Sequence, residues 1–357
     1  MFSKKKLTES KLLELIDYLT YETDNYAVGA HLCGSTDVDG MIERFKAMTG
    51  KEPAYLDYDM HSLPFREQKE IDGAVEELAK FTARGGFITL TDHWLVPTIP
   101  LADASEAGAA NSRYTLTREQ YLDVMTEGTV LNANFKAELD IKAAFIKQLA
   151  DKNIEVIYRP LHEANGSWFW WGVNSEKGIT MPDVSRLYIF VYNYFTVNHG
   201  IDNILWAFSD SLLPGDTNYD WYPGNRYVDI MTIDWYASEY EVNTGNSYFF
   251  NAYYNESQKF GKMPFAVSEF GGDGTYSADT EPLMKTLGTI DSQIKKGAKA
   301  AYVGLYFNYG AQDGNLPDSA ITLDEMSSYW NQEPDTSDSG EWQDPHTGDN
   351  GAPDIFD

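Results

Sequence analysis

Eight short, β-rich runs recur along the chain, and longer stretches with helical spacing of apolar residues separate them. The predicted strands are Tyr26–His31, Ala54–Asp59, Phe87–Thr91, Glu155–Pro160, Ile204–Ser209, Val228–Asp234, Phe265–Glu269 and Ala301–Tyr306. The predicted helices are one near Ser10–Tyr21, then Glu67–Arg84, Phe135–Ala150, Asp183–His199 and Thr280–Lys296. Strands that alternate with helices favour a parallel sheet, and eight of them close a (β/α)8 TIM barrel. We therefore predict an α/β fold with a single barrel domain.

Two stretches fall outside this alternation. Leu101–Asn134 is rich in Ala, Ser and Thr and is too long for an ordinary βα loop, so we predict an insertion at the mouth of the barrel. The stretch 332–357 is acidic, rich in Gly, Pro and Ser, and poor in aliphatic residues, which is typical of a disordered tail or a linker. The barrel is therefore expected over residues 1–331.

Polar side chains gather at one end of the predicted strands. They are His31, Asp59, Asp92 with His93, His162 with Glu163, Ser209 with Asp210, Asp234 with Tyr236, Glu269 and Asn308. Each could by itself be an ordinary loop residue, but loop residues would be scattered over both ends of the strands. Because active sites of (β/α)8 barrels lie at the carboxyl ends of the strands, the pattern predicts a functional site at that mouth.

The segment 158–172 joins one of these strand ends to four consecutive aromatic residues, Trp168–Trp171. Glu163 supplies a carboxylic acid, and His162 lies beside it. Four rings in sequence, flanked by glycines, cannot all face one core, so we expect some of them to line a cleft. The alternative is that the rings are core residues and Glu163 is a solvated carboxylate. Sugar chemistry uses both features, because a neutral carboxyl protonates a glycosidic oxygen and flat rings stack on a pyranose.

The charge of the chain limits its partners. Lys and Arg number 27 and Asp and Glu number 55, which gives a formal net charge of −28. Such a field repels phosphate backbones and anionic lipid, so nucleic acid and membrane surfaces are poor partners. A neutral β-linked polysaccharide or oligosaccharide is compatible with this charge. We expect the protein to act as a monomer.

Little in the sequence points to a metal, a cofactor or a membrane. Cys33 is the only cysteine, so neither an intrachain disulfide nor a thiolate metal cluster can form. The histidines lie on separate strands without metal-ligand spacing, so no metal and no cofactor is expected. Lys4–Lys6 resemble the start of a signal peptide, but polar residues follow, and no segment approaches about 18 consecutive apolar residues. We expect a secreted protein whose signal peptide is absent from this chain, with a cytoplasmic protein as the alternative.

A second carboxylate suited to the same chemistry is Glu269. It ends the apolar run 264–269, and Phe270 and two glycines follow, which would aim the side chain into open space. A carboxylate at a helix N-terminus is the alternative, but the residues on either side fit a strand-to-loop junction better. Glu163 ends the fourth predicted strand and Glu269 the seventh, so the two carboxyls would face each other across the mouth. A retaining glycosidase holds such a pair about 5–5.5 Å apart.

These residues resemble glycoside hydrolase family 26, whose members are mostly endo-β-mannanases on a (β/α)8 barrel of clan A. The likeness is densest in Arg159–Glu163 and Asn165–Gly172, and it continues in Leu205–Ser209, Tyr222–Ile230 and Ser268–Gly271. The resemblance implies that Glu163 is the general acid/base and Glu269 the nucleophile of a double-displacement reaction. We expect burial near the indoles to raise the pKa of Glu163, and hydrogen bonds to keep Glu269 charged.

The resemblance also implies residues that bind the sugar. Tyr236 matches the tyrosine that donates a hydrogen bond to the nucleophile, and Trp168 matches the floor of the subsite that holds the attacked sugar. The expected substrate-binding set is His93, Trp94, His162, Trp168, Trp171, Tyr236 and Tyr306. Many mannanases of the family carry a tryptophan at the end of the eighth strand, whereas this chain has Tyr306 and Phe307 there.

The function expected from the sequence is hydrolysis of mannan, glucomannan or galactomannan by a retaining endo-β-1,4-mannanase. Because some members of the same family cut β-1,3-1,4-glucan or β-1,3-xylan, these two polysaccharides remain alternative substrates for this chain. A non-catalytic carbohydrate-binding barrel would keep the aromatic rings but would not need two opposed carboxylates. A metal-dependent barrel hydrolase would need a His-x-His pair at the first strand, which this sequence lacks.

Overall fold

The computed structural model describes residues 10–32, 36–105, 112–213, 219–272, 283–305 and 316–330. The strands in these ranges are β1 (Tyr26–Leu32), β2 (Tyr55–Asp59), β3 (Phe87–Thr91), β4 (Val156–Arg159), β5 (Ile204–Ser211), β6 (Ile230–Ala237), β7 (Phe265–Gly272), β8 (Tyr302–Leu305) and β9 (Ala320–Ile321). All pair in parallel in the order β2-β3-β4-β5-β6-β7-β8-β1-β9, and a further pairing joins β1 to β2. That pairing closes the first eight strands into a ring, which confirms the predicted (β/α)8 barrel.

Helices surround the ring. Those described are α1 (Lys11–Tyr21), α2 (Val38–Thr49), α3 (Gln68–Ala83), α4 (Arg118–Met125), α5 (Val130–Asp151), α6 (Met181–Asn193), α7 (Glu239–Thr244), α8 (Tyr248–Ser257), α9 (Leu283–Ile294) and α10 (Leu323–Tyr329). α5 begins at Val130 rather than at Phe135 because the Thr129 side chain caps it by accepting from the Asn132 N–H. The predicted insertion Leu101–Asn134 is partly helical, since it contains α4 and the start of α5.

The barrel interior has an apolar floor and a polar mouth, because alternate side chains of a strand face the same side. On β2, Tyr55 and then Asp57 face inward, and on β3 Phe87 and then Thr89 do so. The ring of Tyr55 lies 4.9 Å from that of Phe87 and 5.0 Å from that of Tyr302, so aromatic residues fill the floor. α1 closes the barrel below this layer through Leu12, Leu15, Ile16 and Leu19. The inward polar residues therefore lie above the floor, at the carboxyl ends of the strands.

A larger apolar cluster lies between the ring and its helices. It contains outward residues of the strands, such as Val28, Leu56 and Ile88, together with Leu78 of α3 and Ile146 of α5. Burial on both faces explains why the strands read as nearly continuous apolar runs. Within the described residues, none of the helices combines the length and the apolar character needed to cross a bilayer.

Several features predicted from the sequence lie outside the described residues. They are Cys33, Tyr306 with Phe307 and Asn308, and the acidic stretch 332–357. The aromatic platform expected at Tyr306 therefore stays a prediction, as does the boundary of the barrel at residue 331.

Candidate active site

Three strands bring charged side chains together at the mouth of the barrel. Arg159 is the last residue of β4, Asp234 lies in β6, and Glu269 lies in β7. Arg159 is two positions beyond Ile157, an interior residue, so its side chain also faces inward. Its guanidinium binds both Asp234 and Glu269. Glu163 lies in the turn that follows β4.

The backbone at Glu163 has an uncommon conformation. Its φ is +54° and that of Leu161 is +56°, both in the left-handed region that residues other than glycine rarely adopt. The Glu163 N–H donates to the Ser209 carbonyl at 3.2 Å, and the Gly166 N–H donates to the Glu163 carbonyl at 2.9 Å. These bonds fix the turn against β5 and the following loop. A strained turn that presents a carboxyl at the mouth is typical of a functional position.

Trp168 binds the Glu163 carboxyl. Its indole N–H donates to Glu163 Oε2 at 2.6 Å, and both side chains are half-buried. A β-carbon at Gly166 would lie 2.1 Å from the Trp168 ring, so only glycine leaves room for the indole. Burial and the negative charge of Glu269 raise the pKa of Glu163 to about 7, while the Trp168 hydrogen bond acts in the opposite direction. Near neutral pH, a substantial fraction of Glu163 therefore carries a proton.

Glu269 reaches the interior through a bulge in β7. The register between β6 and β7 shifts after Ile233, so Asp234 pairs with Glu269 and Ser268 is left as the extra residue. Strict alternation along β7 would turn Glu269 toward the helices, because side chains one position apart face opposite sides. The bulge therefore decides that this carboxylate belongs to the site.

Two donors bind Glu269. Arg159 Nη2 donates to Oε1 at 2.7 Å, and the Tyr236 hydroxyl donates to Oε2 at 2.8 Å. Burial acts to raise the pKa of Glu269, but the charge and hydrogen bond of Arg159, together with nearby basic side chains, hold this pKa well below its usual range. Burial and the charge of Glu269 raise the pKa of Tyr236, so the phenol stays protonated and remains a donor. Glu269 is therefore a charged carboxylate with both oxygens occupied.

Arg159 connects Glu269 to two further carboxylates. Its Nη1 donates to Asp234 Oδ2 at 2.6 Å, and its Nη2 lies 3.7 Å from Asp57 Oδ2. All four side chains are buried. Buried charges are stable only when they are paired, so the position of Glu269 depends on this whole group of charges.

The two glutamates thus differ in charge at the same pH. Glu163 can donate a proton, and Glu269 can act as an anion toward an electron-poor carbon. Their pKa values differ in the direction expected from the sequence. A neutral acid beside a charged carboxylate is the pair that cleavage of a glycosidic bond requires.

Of the four aromatic residues 168–171, Trp168 alone is not fully buried. Phe169 stacks on Trp171 with 4.3 Å between ring centroids, and the Trp171 indole donates to the His162 carbonyl at 2.9 Å. The Trp170 indole donates to a backbone carbonyl in the loop after β3 at 3.2 Å. Phe169, Trp170 and Trp171 therefore pack in the core beneath the turn that carries Glu163, and Trp168 lies at the mouth of the barrel.

Two residues expected to bind substrate are core residues instead. Trp94 and Trp171 each expose 0% of their surface, so neither ring can stack on a sugar. The Lys142 ammonium lies 3.9 Å from the centre of the Trp94 ring, and Phe169 covers Trp171. The prediction that their rings stack on substrate is therefore wrong for Trp94 and Trp171.

Two histidines border the site and differ in charge. The His93 side chain is 23% exposed, and its Nδ1 lies 2.7 Å from Asp59 Oδ2. Burial opposes protonation of His93, but the charge and hydrogen bond of Asp59, together with the charge of Glu269, raise the pKa of His93. His162 is buried, with ring centroids 4.6 Å from His93 and 5.0 Å from Phe169. Burial, and then the positive charges of His93 and Arg159, hold the pKa of His162 well below its usual range, so His162 is neutral.

Sequence reasoning assigned no role to three buried residues of the site, Arg159, Asp57 and Thr89. Thr89 Oγ1 donates to Asp57 Oδ1 at 2.7 Å, and Asp57 lies beside Arg159 as described. The sequence contains a pattern that predicts their position, because each lies two positions beyond an apolar residue of the barrel floor. A polar residue there faces the interior directly above the floor.

His31, Asp57 and Glu269 have the chemistry to bind a metal ion, since one ligand atom from each lies within 4.8 Å of the others. A protein cation already serves this position, because Arg159 binds Glu269 and lies beside Asp57. Among the described residues, the arrangement therefore fits a buried group of ion pairs better than an open metal site.

Comparison with known proteins places the chain in a family. The sequence profile of glycosyl hydrolase family 26 matches residues 6–274. A mannan endo-1,4-beta-mannosidase of Bacillus subtilis is 28% identical over 323 residues, which cover 84% of each chain. A mannan endo-1,4-beta-mannosidase of Thermothelomyces thermophilus is 37% identical over 195 residues, covering 53% of this chain and 38% of the relative. The YdhT protein from Bacillus subtilis shares the fold, with a TM-score of 0.69 and 22% identity over 89% of this chain and 90% of that one. The chain therefore belongs to glycosyl hydrolase family 26 and is a glycoside hydrolase.

Proposed function

We propose that this protein is a retaining endo-β-1,4-mannanase in which Glu163 is the general acid/base and Glu269 the nucleophile. The observation that carries the proposal is the difference in charge between the two glutamates: burial and the charge of Glu269 favour a protonated Glu163, whereas Arg159 favours an ionised Glu269. Trp168 binds Glu163, whereas Arg159 and Tyr236 bind Glu269. Support for the substrate comes from relatives named mannan endo-1,4-beta-mannosidase, one of which aligns with 84% of this chain.

In the first step, Glu269 attacks the anomeric carbon while Glu163 protonates the departing glycosidic oxygen. The Trp168 indole N–H can only donate, and it occupies Glu163 Oε2, so the carboxyl proton is favoured on Oε1. Oε1 is then the atom that delivers the proton. The step leaves a glycosyl ester on Glu269, an ionised Glu163, and the released part of the polymer with a free hydroxyl group.

The two oxygens of Glu269 are not equivalent in this step. Oε1 accepts from the charged guanidinium of Arg159, and Oε2 accepts from the neutral phenol of Tyr236. In the Arg159 bond both the donor and the acceptor are charged, whereas in the Tyr236 bond only the acceptor is charged. Attack by Oε2 therefore gives up the weaker bond, while Arg159 keeps the carboxyl oriented.

The second step depends on the loss of charge at Glu269. Esterification removes one of the two effects that raise the pKa of Glu163, so this pKa falls. Ionised Glu163 then accepts a proton from a water molecule, which attacks the anomeric carbon on the face that the leaving group vacated and displaces Glu269 as a carboxylate. Two inversions at the anomeric carbon give net retention of configuration.

A neutral hexose polymer fits the groups at the mouth. Trp168 offers a partly exposed indole for the apolar face of a pyranose, and His93 offers a partly exposed imidazole for hydroxyl groups. A net charge of −28 disfavours acidic polysaccharides.

The proposal predicts which polymers are cut and with which stereochemistry. Incubation with glucomannan or galactomannan should release new reducing ends, and proton NMR of the first product formed should show the β-anomer. A matched panel of mixed-linkage β-1,3-1,4-glucan and β-1,3-xylan should give far lower rates. An initial α-anomer would contradict double displacement. Preferential cleavage of the glucan or the xylan would keep the mechanism and replace the substrate.

The pH profile should report Glu163 and its indole partner. The kcat/KM of the wild type is expected to fall as the pH rises through about 7, because the acid must be protonated in the free enzyme. Trp168→Phe removes the hydrogen bond that lowers the pKa of Glu163, so the descending limb should move to higher pH while kcat/KM itself decreases. The measurement is kcat/KM for a manno-oligosaccharide across the pH range.

Trp171→Phe is the matched control for this experiment. Its indole lies in the same motif but donates to a backbone carbonyl instead of the carboxyl, so the descending limb should stay in place. A limb that moves to lower pH in Trp168→Phe, or equal movement in both variants, would show that the indole of Trp168 does not tune the acid.

A further inference from the structure

Three polar side chains form a register-aligned row across the first strands of the barrel. His31 on β1 pairs with Asp57 on β2, and Asp57 pairs with Thr89 on β3. Residues paired across parallel strands project side by side, so the three side chains form one inward layer above the aromatic floor. All three are buried. The row points toward the charged group around Glu269.

Asp57 is the centre of this row. Its Oδ2 lies 2.6 Å from His31 Nδ1, and its Oδ1 accepts from Thr89 Oγ1 at 2.7 Å. The same Oδ2 lies 3.7 Å from Arg159 Nη2, the nitrogen that binds Glu269. His31, Asp57 and Glu269 each place one polar atom within 4.8 Å of the others. The row therefore lies beside the guanidinium of Arg159, and polar atoms of His31 and Asp57 lie within 4.8 Å of one from Glu269.

Without a second cation, the buried group around Arg159 has more negative than positive charges. One guanidinium faces three carboxylates, those of Glu269, Asp234 and Asp57. Burial raises the pKa of Asp234 well above its usual range, despite Arg159, so one of the three can be neutral. Even then, a buried excess of negative charge remains, and such an excess disfavours ionised Glu269.

The basic side chains near Glu269 differ in whether they carry a positive charge at neutral pH. Arg159, His162 and His31 all lie close enough to lower the pKa of Glu269. His162 is neutral for the reasons given above, so it supplies no charge near neutral pH. Arg159 and His31 remain.

We propose that His31 and Asp57 are positioning residues for the nucleophile, in which Asp57 holds His31 as the imidazolium that provides the second positive charge beside Glu269. Among the described residues, the charged groups near His31 are Asp57 from β2, Arg159 from β4, Glu269 from β7 and, at the end of β3, His93. The carboxylates of Asp57 and Glu269 favour this charge, and the guanidinium and His93 oppose it. The inference rests on the proposed role of Glu269 as nucleophile.

The first test uses the wild-type enzyme. The chain has six histidines, so an imidazole ¹⁵N NMR spectrum of histidine-labelled protein is tractable. At neutral pH, both ring nitrogens of His31 should carry protons, and the resonance is assigned by its loss in a His31 variant. A neutral His31 tautomer at neutral pH overturns the proposal, whatever the kinetic data show.

The second test compares His31→Gln with His31→Lys. Loss of the cation in His31→Gln should raise the acidic limb of kcat/KM by about one pH unit, the scale of one nearby charge acting on a carboxyl. It should also lower kcat about equally for manno-oligosaccharides and for aryl mannosides with good leaving groups, because attack is impaired rather than protonation. His31→Lys keeps a positive charge and should keep the acidic limb closer to that of the wild type.

Thr89→Val is the control for a purely structural role. It removes a hydrogen bond from Asp57 without changing any charge, so thermal stability should fall while the acidic limb stays in place. If His31→Gln leaves the acidic limb at the wild-type pH, as Thr89→Val is expected to do, the row is structural and the proposal is wrong. A wild type without turnover on any β-linked glycan would instead refute the proposed function, and the NMR result would still decide the charge of His31.

Discussion

Replacing Glu269 by alanine is expected to lower kcat on mannan by at least about 10⁴-fold, the scale on which loss of a covalent nucleophile acts. Arg159 and Tyr236 both bind this side chain, so no described neighbour is placed to take over attack with the same geometry. Arg159 still has Asp234 as a partner, and the fold should survive. Release of reducing ends, with thermal unfolding measured in parallel, checks both statements.

Glu163→Ala is the matched variant, because it removes a carboxyl with a different role. The rate on mannan should fall by about 10²–10⁴-fold, the usual contribution of a general acid. An aryl mannoside with a good leaving group needs no proton, so its first step should be nearly as fast as in the wild type. Azide should restore turnover of that substrate and give the β-mannosyl azide, whereas Glu269→Ala with azide should give the α-mannosyl azide.

The configuration of the azide product separates the two roles more sharply than the loss of rate. In Glu163→Ala the azide replaces the water that attacks the ester, so the product keeps the configuration of the substrate. In Glu269→Ala it replaces the nucleophile itself and inverts that configuration. The opposite assignment of products would exchange the roles of Glu163 and Glu269. Equal activity of both variants and the wild type on mannan would remove both residues from the mechanism.

The barrel was predictable because parallel strands buried on both faces are short apolar runs with polar residues at one end. All eight predicted strands overlap described strands, and their ends differ by only a few residues. α2 was not predicted, although Val38, Met41, Ile42 and Phe45 recur with helical spacing. α2 begins at Val38, soon after β1 ends at Leu32. Over so short a connection, the change in apolar spacing from strand to helix is hard to detect in the sequence.

Glu163 and Glu269 were identified from their motifs, but their geometry could not be. The bulge at Ser268 turns Glu269 inward, and a bulge depends on the pairing of β6 with β7 rather than on the local sequence. The positive φ of Glu163 likewise depends on hydrogen bonds to β5. Sequence spacing places a carboxylate at a strand end, and tertiary contacts decide which way it points.

The errors at Trp94 and Trp171 have a common physical cause. A ring beside a catalytic motif can pack beneath the turn or stand above it, and the order of residues does not distinguish these positions. Trp171 packs beneath the turn because its indole donates to the His162 carbonyl. Trp94 lies in the core because the buried Lys142 ammonium lies over its ring. For Arg159 the residue order is informative. It lies two positions beyond Ile157, an interior residue, which predicts that its charged side chain also faces the barrel interior.

The ammonium over Trp94 belongs to a buried group of charges outside the mouth. Lys142 on α5 exposes 0% of its side chain and lies 2.5 Å from both Asp92 and Glu138. Burial raises the pKa of Asp92 and of Glu138, although Lys142 opposes this, because one ammonium must serve two carboxyls. Asp92 directly precedes His93, so this group also fixes the end of β3 at the site.

Lys142→Met is expected to lower the free energy of unfolding by about 3–5 kcal/mol, the usual cost of leaving buried partners unpaired. Methionine keeps the apolar stem that packs on Trp94 but leaves Asp92 and Glu138 without their cation. Urea denaturation monitored by tryptophan fluorescence measures the loss. Lys147→Met is the matched control on the same helix, where the lysine is exposed, and it should change stability by no more than about 0.5 kcal/mol.

Neutralising the carboxyls tests whether charge is the cause. Adding Asp92→Asn and Glu138→Gln to Lys142→Met removes every charge of the group while nearly preserving its volume, so much of the lost stability should return. If the triple variant is no more stable than Lys142→Met, the loss comes from the packing of the lysine stem on the Trp94 ring. A loss below about 1 kcal/mol in Lys142→Met itself would mean that the carboxyls take up protons at little cost, as their raised pKa values allow.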